Sequence, residues 1–157
     1  MNNYFSISDF CITDDPLSPE IADKILQNFI VPLNQIRSII NLPITISRKS
    51  GYRPAWYEEQ KGRSTLSEHT FQGKGAADIV CADMLTLGRI LADLSPFTRI
   101  CYYPNNNFFH VDYATKEQFL FISREYWKDV EKDDILNEIN SSALTKKATG
   151  IIDNYLV

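Results

Sequence analysis

The chain contains two histidines, and each lies in a short motif of polar and aromatic residues. His69 lies in the glycine-containing stretch 67–78, and His110 lies in the stretch 108–112. Asp78 follows His69 by nine positions and completes a set of two imidazoles and one carboxylate. Catalytic zinc accepts these donors and usually keeps three protein ligands, which leaves one position for water. Zinc chemistry is therefore the leading hypothesis, with His69, Asp78 and His110 as candidate ligands.

The chemistry that such a centre would perform is hydrolysis. A zinc ion lowers the pKa of bound water towards ~7 and polarises a scissile carbonyl, so a peptide bond can be cleaved at neutral pH without a nucleophilic side chain. For either histidine alone, a structural role in a hydrogen bond is the alternative interpretation.

The composition predicts a folded domain and argues against several classes of partner. With 44% hydrophobic and 12% aromatic residues, the chain can bury a core, so we expect one domain over residues 1–157. The formal charge of −4 comes without a Lys/Arg block, which argues against nucleic acid. No apolar run approaches the ~20 residues that span a bilayer. Residues 1–15 lack a basic segment followed by an apolar one, so we expect synthesis in the cytoplasm without Sec export.

The three cysteines give no sign of a metal or redox site of their own. Cys11, Cys81 and Cys101 are far apart and lack Cys-x-x-Cys spacing. We expect free thiols rather than a disulfide.

The elements that must position the candidate ligands follow from the hydrophobic pattern. Ser18 and Pro19 predict a helix start, as N-cap and first helical residue. Helical spacing continues to Ile40, and Pro32 is expected to bend or divide this segment. We predict strands at 43–48, 76–81 and 118–123, a hairpin of strands 98–103 and 108–113, an ordered loop at 55–75, a helix at 82–94, and one or two amphipathic helices at 125–157. The expected fold class is α+β, with a mainly antiparallel sheet packed against helices.

Several short motifs resemble a known family when they are taken in order along the chain. They are Ser-Gly-Tyr-Arg at 50–53, Ser-Glu-His at 67–69, Gly-Ala-Ala-Asp-Ile at 75–79, Tyr-Tyr-Pro at 102–104 and Phe-His-Val-Asp at 109–112. Together they resemble the M15 family of zinc peptidases, which are D-alanyl-D-alanine carboxypeptidases and phage endolysins that cut the peptide stems of bacterial cell walls. The resemblance covers about residues 44–113 and implies the fold shared by the hedgehog signalling domain. Residues 114–157 would add a strand and a helical segment, either as part of the domain or as an appendage.

The resemblance also assigns residues to roles. It implies that His69, Asp78 and His110 bind Zn²⁺, and that Arg53 holds and polarises the substrate. A planar guanidinium suits a carboxylate or a peptide carbonyl near the metal. An ion pair at the edge of the sheet is the alternative role for Arg53.

This chain departs from the family pattern in two places. Members commonly read His-x-x-Gly-x-Ala-x-Asp, whereas the loop between His69 and Asp78 is longer here by two residues, which a loop can absorb at little entropic cost. Several branches of the family place a Glu or Asp three residues before the last histidine, where this chain has Asn107. Asp112 could act as the base, orient a ligand, or serve as a structural carboxylate at the strand end, and Glu68 is a further candidate base.

These observations predict zinc-dependent hydrolysis of peptide bonds in peptidoglycan stem peptides, by a carboxypeptidase or an endopeptidase. The expected source is a phage or prophage, whose enzyme would reach the cell wall during lysis or from a virion, and a bacterial enzyme of wall recycling is the alternative source. The alternatives are a non-catalytic zinc-binding module and a structural component of a virion. The sequence does not define the oligomeric state.

Overall fold

The computed structural model describes residues 2–103 and 106–122, and the helices predicted between residues 125 and 157 lie outside these ranges. The described helices are α1 (Pro19–Ile25), α2 (Val31–Ile40), α3 (Ala55–Gln60) and α4 (Met84–Leu94), with a π-helical segment at Leu26–Ile30. Short 3₁₀ turns lie at Ile7–Phe10, Ser47–Lys49 and Glu68–Thr70. The strands are β1 (Ile44–Ile46), β2 (Ala76–Cys81), β3 (Arg99–Tyr103), β4 (Phe108–Asp112) and β5 (Phe119–Ile122).

The five strands form one sheet in the order β1-β2-β4-β3-β5. The pairs β1–β2, β2–β4 and β3–β4 are antiparallel, and β3–β5 is parallel. The predicted α+β class, the mainly antiparallel sheet and the β3–β4 hairpin are therefore confirmed. Strands β2 and β4 are inner strands of the sheet, so residues on them are held from both sides.

The N-terminal helical segment begins as the sequence predicts. The Ser18 hydroxyl accepts a hydrogen bond from the Ile21 N–H at 3.2 Å, and Pro19 is the first helical residue. The predicted division near Pro32 takes the form of the π-helical segment, where the Val31 N–H bonds the Leu26 carbonyl, five residues back. Proline has no N–H for the carbonyl four residues before it, so the hydrogen-bond pattern changes at this point.

Two predictions of local structure were wrong. Residues 55–75 are not all loop, because Ala55–Gln60 is helical and begins directly after the extended Pro54. A six-residue helix is too short to show a helical hydrophobic period, so the pattern did not reveal it. The strand predicted at 43–48 ends at Ile46, because Arg48 takes a left-handed backbone conformation with φ of 51°.

The core lies between the sheet and the helical layer. The Phe29 ring packs at centroid distances of 5.6 Å from Phe71, 5.7 Å from Phe97 and 5.8 Å from Tyr113. On α4, Gly88 lies against Phe109 of β4, and a Cβ at that position would come within 2.8 Å of the ring. A glycine therefore lets the helix approach the strand that carries His110.

The cysteines are free thiols, as predicted, with Cys81 and Cys101 buried and Cys11 half-buried. Within the described ranges, no helix combines the length and apolar character that a membrane crossing requires.

Candidate metal centre

The three candidate ligands converge from two strands and a turn. Asp78 lies on β2 and is the direct register partner of His110 on β4. His69 lies in the turn Glu68–Thr70. The His69 Nε2 atom is 3.2 Å from His110 Nδ1, His110 Nδ1 is 3.0 Å from Asp78 Oδ1, and His69 Nε2 is 3.4 Å from Asp78 Oδ1. The structure therefore brings together all three residues that the sequence singles out.

These separations fit a tetrahedral zinc ion. Zinc binds imidazole nitrogen and carboxylate oxygen at about 2.0–2.2 Å, and tetrahedral angles then place the donors about 3.3 Å apart. The three donor atoms of His69, Asp78 and His110 lie within 4.8 Å of one another, and the observed separations match that spacing. The residues present are thus able to hold the ion with one position left open.

Each histidine is oriented by a partner on the ring nitrogen that faces away from the cluster. The Gly51 carbonyl lies 2.8 Å from His69 Nδ1, and the Asp112 Oδ2 atom lies 2.7 Å from His110 Nε2. An N–H donated to these acceptors fixes the tautomer and leaves His69 Nε2 and His110 Nδ1 for the metal.

Asp112 lies behind His110 and is fully buried. Arg99, its register partner on β3, donates from Nε to both carboxylate oxygens at 3.0 and 2.8 Å. The Ala114 N–H donates to Oδ1 at 2.9 Å. Both oxygens of Asp112 are therefore engaged by protein donors.

The motif at residues 50–53 supports Asp78 from the other side. The Ser50 hydroxyl donates to Asp78 Oδ2 at 2.8 Å and accepts from Arg53 Nη1 at 3.0 Å. The same Nη1 atom is 4.0 Å from Asp78 Oδ2. Arg53 therefore lies beside the cluster, with its guanidinium linked to Asp78 through Ser50.

The ionisation of the cluster follows from these contacts. Burial raises the pKa of Asp78, but His69 and His110 outweigh it and hold that pKa well below its usual value. Burial lowers the pKa of His110, whereas its bonds to Asp112 and Asp78 raise it, with a net result of about 9. The metal-free cluster thus carries an ionised Asp78 and a protonated His110 at neutral pH.

The cluster opens into a cavity of about 420 Å³. Three arginines line it together with the three candidate ligands: Arg53, Arg63 and Arg99. The remaining lining residues are Ser67, Cys101, Tyr103 and Phe108. In the described part of the chain, Asp78 is the sole carboxylate that lines this cavity.

Two further positions bear on the identity of the base: Glu68, the other candidate base, and Asn107, whose amide cannot take a proton from water. The Asn107 side chain accepts a hydrogen bond from the Tyr102 hydroxyl at 2.6 Å, and its backbone is left-handed with φ of 52°. Neither Asn107 nor Glu68 is among the residues that line the cavity.

The long loop between His69 and Asp78 is held by the helical segment. Lys24 donates to the Phe71 carbonyl at 2.9 Å and Asn28 donates to the Lys74 carbonyl at 3.0 Å. These contacts allow the longer loop to return to β2 with both candidate ligands in place.

The site residues that the sequence prediction missed include Glu58, Arg63 and Arg99. Glu58 is 1% exposed and contacts both Arg53 and Arg63, but it lies in the helix that was predicted as loop. Arg99 pairs with Asp112 across the β3–β4 hairpin. The opposite charges of Arg99 and Asp112 at matched positions of the predicted hairpin were the signal that could have revealed this ion pair.

Comparisons with known proteins identify a family for this chain. A family model described as Peptidase M15 matches residues 3–112, which is more than half of the chain. The match spans the three candidate ligands, Arg53 and Asp112. Neither a search of curated proteins nor a search of solved structures found a match.

Proposed function

This chain belongs to the peptidase M15 family, a family of zinc peptidases, and we propose that it hydrolyses peptide bonds in the stem peptides of bacterial peptidoglycan. The observation that carries the proposal is the set of three donor atoms spaced 3.0–3.4 Å apart at the wall of an arginine-lined cavity. The place of action in this proposal is the cell wall, reached from a phage or prophage during lysis or as part of a virion.

The zinc ion would be held by His69 Nε2, Asp78 Oδ1 and His110 Nδ1. When bound, it supplies a Lewis acid that activates water and polarises the scissile carbonyl. Ser50, Gly51 and Asp112 keep these donors aimed at one point through the hydrogen bonds described above. A ligand set fixed in advance needs little rearrangement on binding the ion.

Arg53 would bind the substrate beside the metal. Its guanidinium lines the cavity and is fixed by the Ser50 hydroxyl and the buried Glu58 carboxylate. Burial lowers the pKa of Arg53, the charges of Asp78 and Glu58 oppose that shift, and an arginine remains charged at neutral pH. Arg53 can therefore donate to a carbonyl or carboxylate oxygen of the peptide.

Asp112 would orient His110 rather than take a proton from water. Its two oxygens already accept from Arg99, Ala114 and His110, and the side chain is fully buried. Of the roles left open by the sequence, the contacts favour orientation of a ligand.

A non-catalytic zinc-binding module is the second candidate function. One observation favours it: among the described residues that line the cavity, Asp78 is the only carboxylate. In the position where several branches of the family carry Glu or Asp, Asn107 is directed at Tyr102 instead.

Hydrolysis of synthetic stem peptides and purified peptidoglycan by the zinc-loaded protein tests the proposal, with products identified by mass spectrometry. We expect cleavage that chelation abolishes and that His110→Ala removes. The bond that is cut distinguishes a carboxypeptidase from an endopeptidase. If zinc-loaded protein leaves every substrate intact while Asn107→Glu gains activity, the non-catalytic module is the better description.

A further inference from the structure

Two arginines share one buried carboxylate at the edge of the metal-centre cavity. Glu58 is 1% exposed, and Arg63 donates to it from Nη2 at 2.8 Å and from Nε at 3.2 Å. Arg53 Nε lies 2.9 Å from the same Oε1 atom, although its N–H is not aligned as a hydrogen bond. The two guanidinium groups are therefore held side by side by one residue of α3.

A second cavity of about 280 Å³ adjoins the metal-centre cavity. The two cavities share Arg53, Arg63, Asp78 and Phe108 as lining residues. Arg48 and Tyr57 are among the residues that line the second cavity alone. The shared residues make this space continuous with the region in front of the candidate metal ligands.

The second cavity is positively charged in a chain whose net charge is −4. Arg48, Arg53 and Arg63 line it, and Asp78 is the one carboxylate among its described lining residues. Asp78 is directed at the histidines, and Glu58 offsets part of the charge from behind. Arg48 is exposed and forms no ion pair within the described residues, so its charge adds to the field in the cavity.

We propose that the second cavity is a subsite for a carboxylate of the substrate, with Arg63 as its specificity-determining residue and Glu58 as its positioning residue. The inference rests on the proposed function, since the ligand is a carboxylate of a stem peptide. Glu58 uses the Nε and an Nη2 donor of Arg63, and a guanidinium has further N–H donors for a planar carboxylate. The Arg63 side chain is 43% exposed, so a ligand can reach it.

Calorimetric binding to the full, zinc-loaded chain tests this subsite. The probes are a synthetic stem peptide and its counterparts in which each carboxylate in turn is a carboxamide. Peptide integrity is checked by chromatography after each titration. We expect one acid form to bind at least about tenfold more tightly than its carboxamide, because charge-assisted hydrogen bonds are lost in the amide.

Variants then assign the discrimination to named residues. Arg63→Gln should bind that acid and its amide alike, with zinc content unchanged, and Glu58→Gln should reduce the difference because Arg63 loses its anchor. Arg63→Lys keeps a positive charge for Glu58 but loses the planar guanidinium, so it should discriminate between acid and amide less than the wild type. This variant replaces Arg63→Gln in the test if Arg63→Gln does not fold. Arg89→Gln on α4, outside both cavities, makes the same charge change and should discriminate like the wild type.

Equal binding of every acid and its amide by the wild-type protein would overturn the subsite, as would full discrimination by Arg63→Gln. Failure of the proposed function looks different: the acid form would be preferred and yet be recovered intact after prolonged incubation. That result would remove the peptidase activity and leave the subsite standing.

Discussion

The two oxygen atoms of the Asp78 carboxylate contact different parts of the site. Its Oδ1 atom faces His69 and His110, and its Oδ2 atom accepts the Ser50 hydroxyl. The residue thus ties the candidate ligands to the motif at 50–53. Removing its charge should therefore weaken the metal site.

Asp78→Asn should reduce zinc affinity more than about tenfold, because an amide oxygen is a poorer ligand than a carboxylate. Competition with a chromophoric chelator measures the affinity. Asp83→Asn is the matched control, since Asp83 caps α4 through the Thr86 N–H and Asn caps equally well. Equal zinc affinity in Asp78→Asn and wild-type protein would exclude Asp78 as a ligand.

Zinc binding should release about one proton from His110 near pH 7, because the ion replaces the Nδ1 proton of an imidazolium. The pKa of His110 in the metal-free protein is about 9, so the release should fade as the pH rises above that value, and apparent zinc affinity should rise from pH 7 towards it. Calorimetry in buffers of different ionisation enthalpy counts the protons.

In Asp112→Asn the carboxylate that most strongly raises the pKa of His110 becomes a neutral amide, so fewer protons should be released. At a pH above about 9, where no proton competes for His110 in either protein, zinc affinity should fall by about tenfold to a hundredfold, as for other residues that orient a metal ligand. Undiminished proton release in this variant would show that Asp112 does not control the ionisation of His110.

At this scale the sequence shows which residues could bind metal, but not how they are supported. The two histidine motifs and Asp78 stand out because the chain has only two histidines and because the motifs follow one another in the order of the family pattern. Glu58 does not, because an isolated glutamate is usually exposed and its burial depends on Arg53 and Arg63 meeting it in the folded chain. The ligand roles themselves stay predictions.

Among the elements, the return of the loop between His69 and Asp78 to β2 depends on Gly75. Its φ is +100°, and a Cβ there would overlap the Phe71 ring. The ring in turn packs on Phe29 in the core. The loop can therefore close over the core only where this residue has no side chain.

Gly75→Ala should destabilise the protein by about 3 kcal/mol or more, through backbone strain and overlap with Phe71. Urea denaturation gives the free energy of unfolding. Gly73→Ala, two positions earlier in the loop, is the control and should change stability by less than about 1 kcal/mol, since its Cβ would meet only the flexible end of Glu68. Similar losses in the two variants would argue against a special role for Gly75.

Elements with a clear hydrophobic pattern could be predicted, and elements that depend on single contacts could not. Strand β2 has the predicted bounds because its run of small and apolar residues suits an inner strand. Helix α3 is too short to show a hydrophobic period. The π-helical segment depends on the backbone hydrogen bonds next to Pro32, which a hydrophobic pattern does not reveal. The Asn28 carbonyl, four residues before Pro32, accepts a hydrogen bond from the Tyr113 hydroxyl at 2.6 Å.

For the whole molecule, a metal at this centre would cross-link regions that are distant in sequence. The candidate ligands come from the turn Glu68–Thr70, from β2 and from β4. The fold class could be predicted from the alternation of helical and strand patterns. The positive cavity could not, because a net charge of −4 does not indicate where the charges lie.

Zinc should raise the free energy of unfolding of the whole domain, by about 2.7 kcal/mol when free zinc exceeds the Kd about a hundredfold. The physical reason is that the folded chain presents the three donors together and the unfolded chain does not. Thermal melting with and without zinc measures the gain, and His69→Ala should melt at the same temperature in both conditions. A zinc-dependent shift of equal size in His69→Ala would place the stabilising ion elsewhere.

Asp78 and His110 are paired residues on neighbouring inner strands, whereas His69 belongs to a turn tethered by the Gly51 carbonyl. The two strand ligands are held in the sheet, and the turn can shift without breaking it. If a cation of larger ionic radius, such as cadmium, replaces zinc, we therefore expect His69 to move and the two strand ligands to stay in place. Backbone resonances of residues 67–71 would report that metal exchange, while those of the β2–β4 ladder would stay in place.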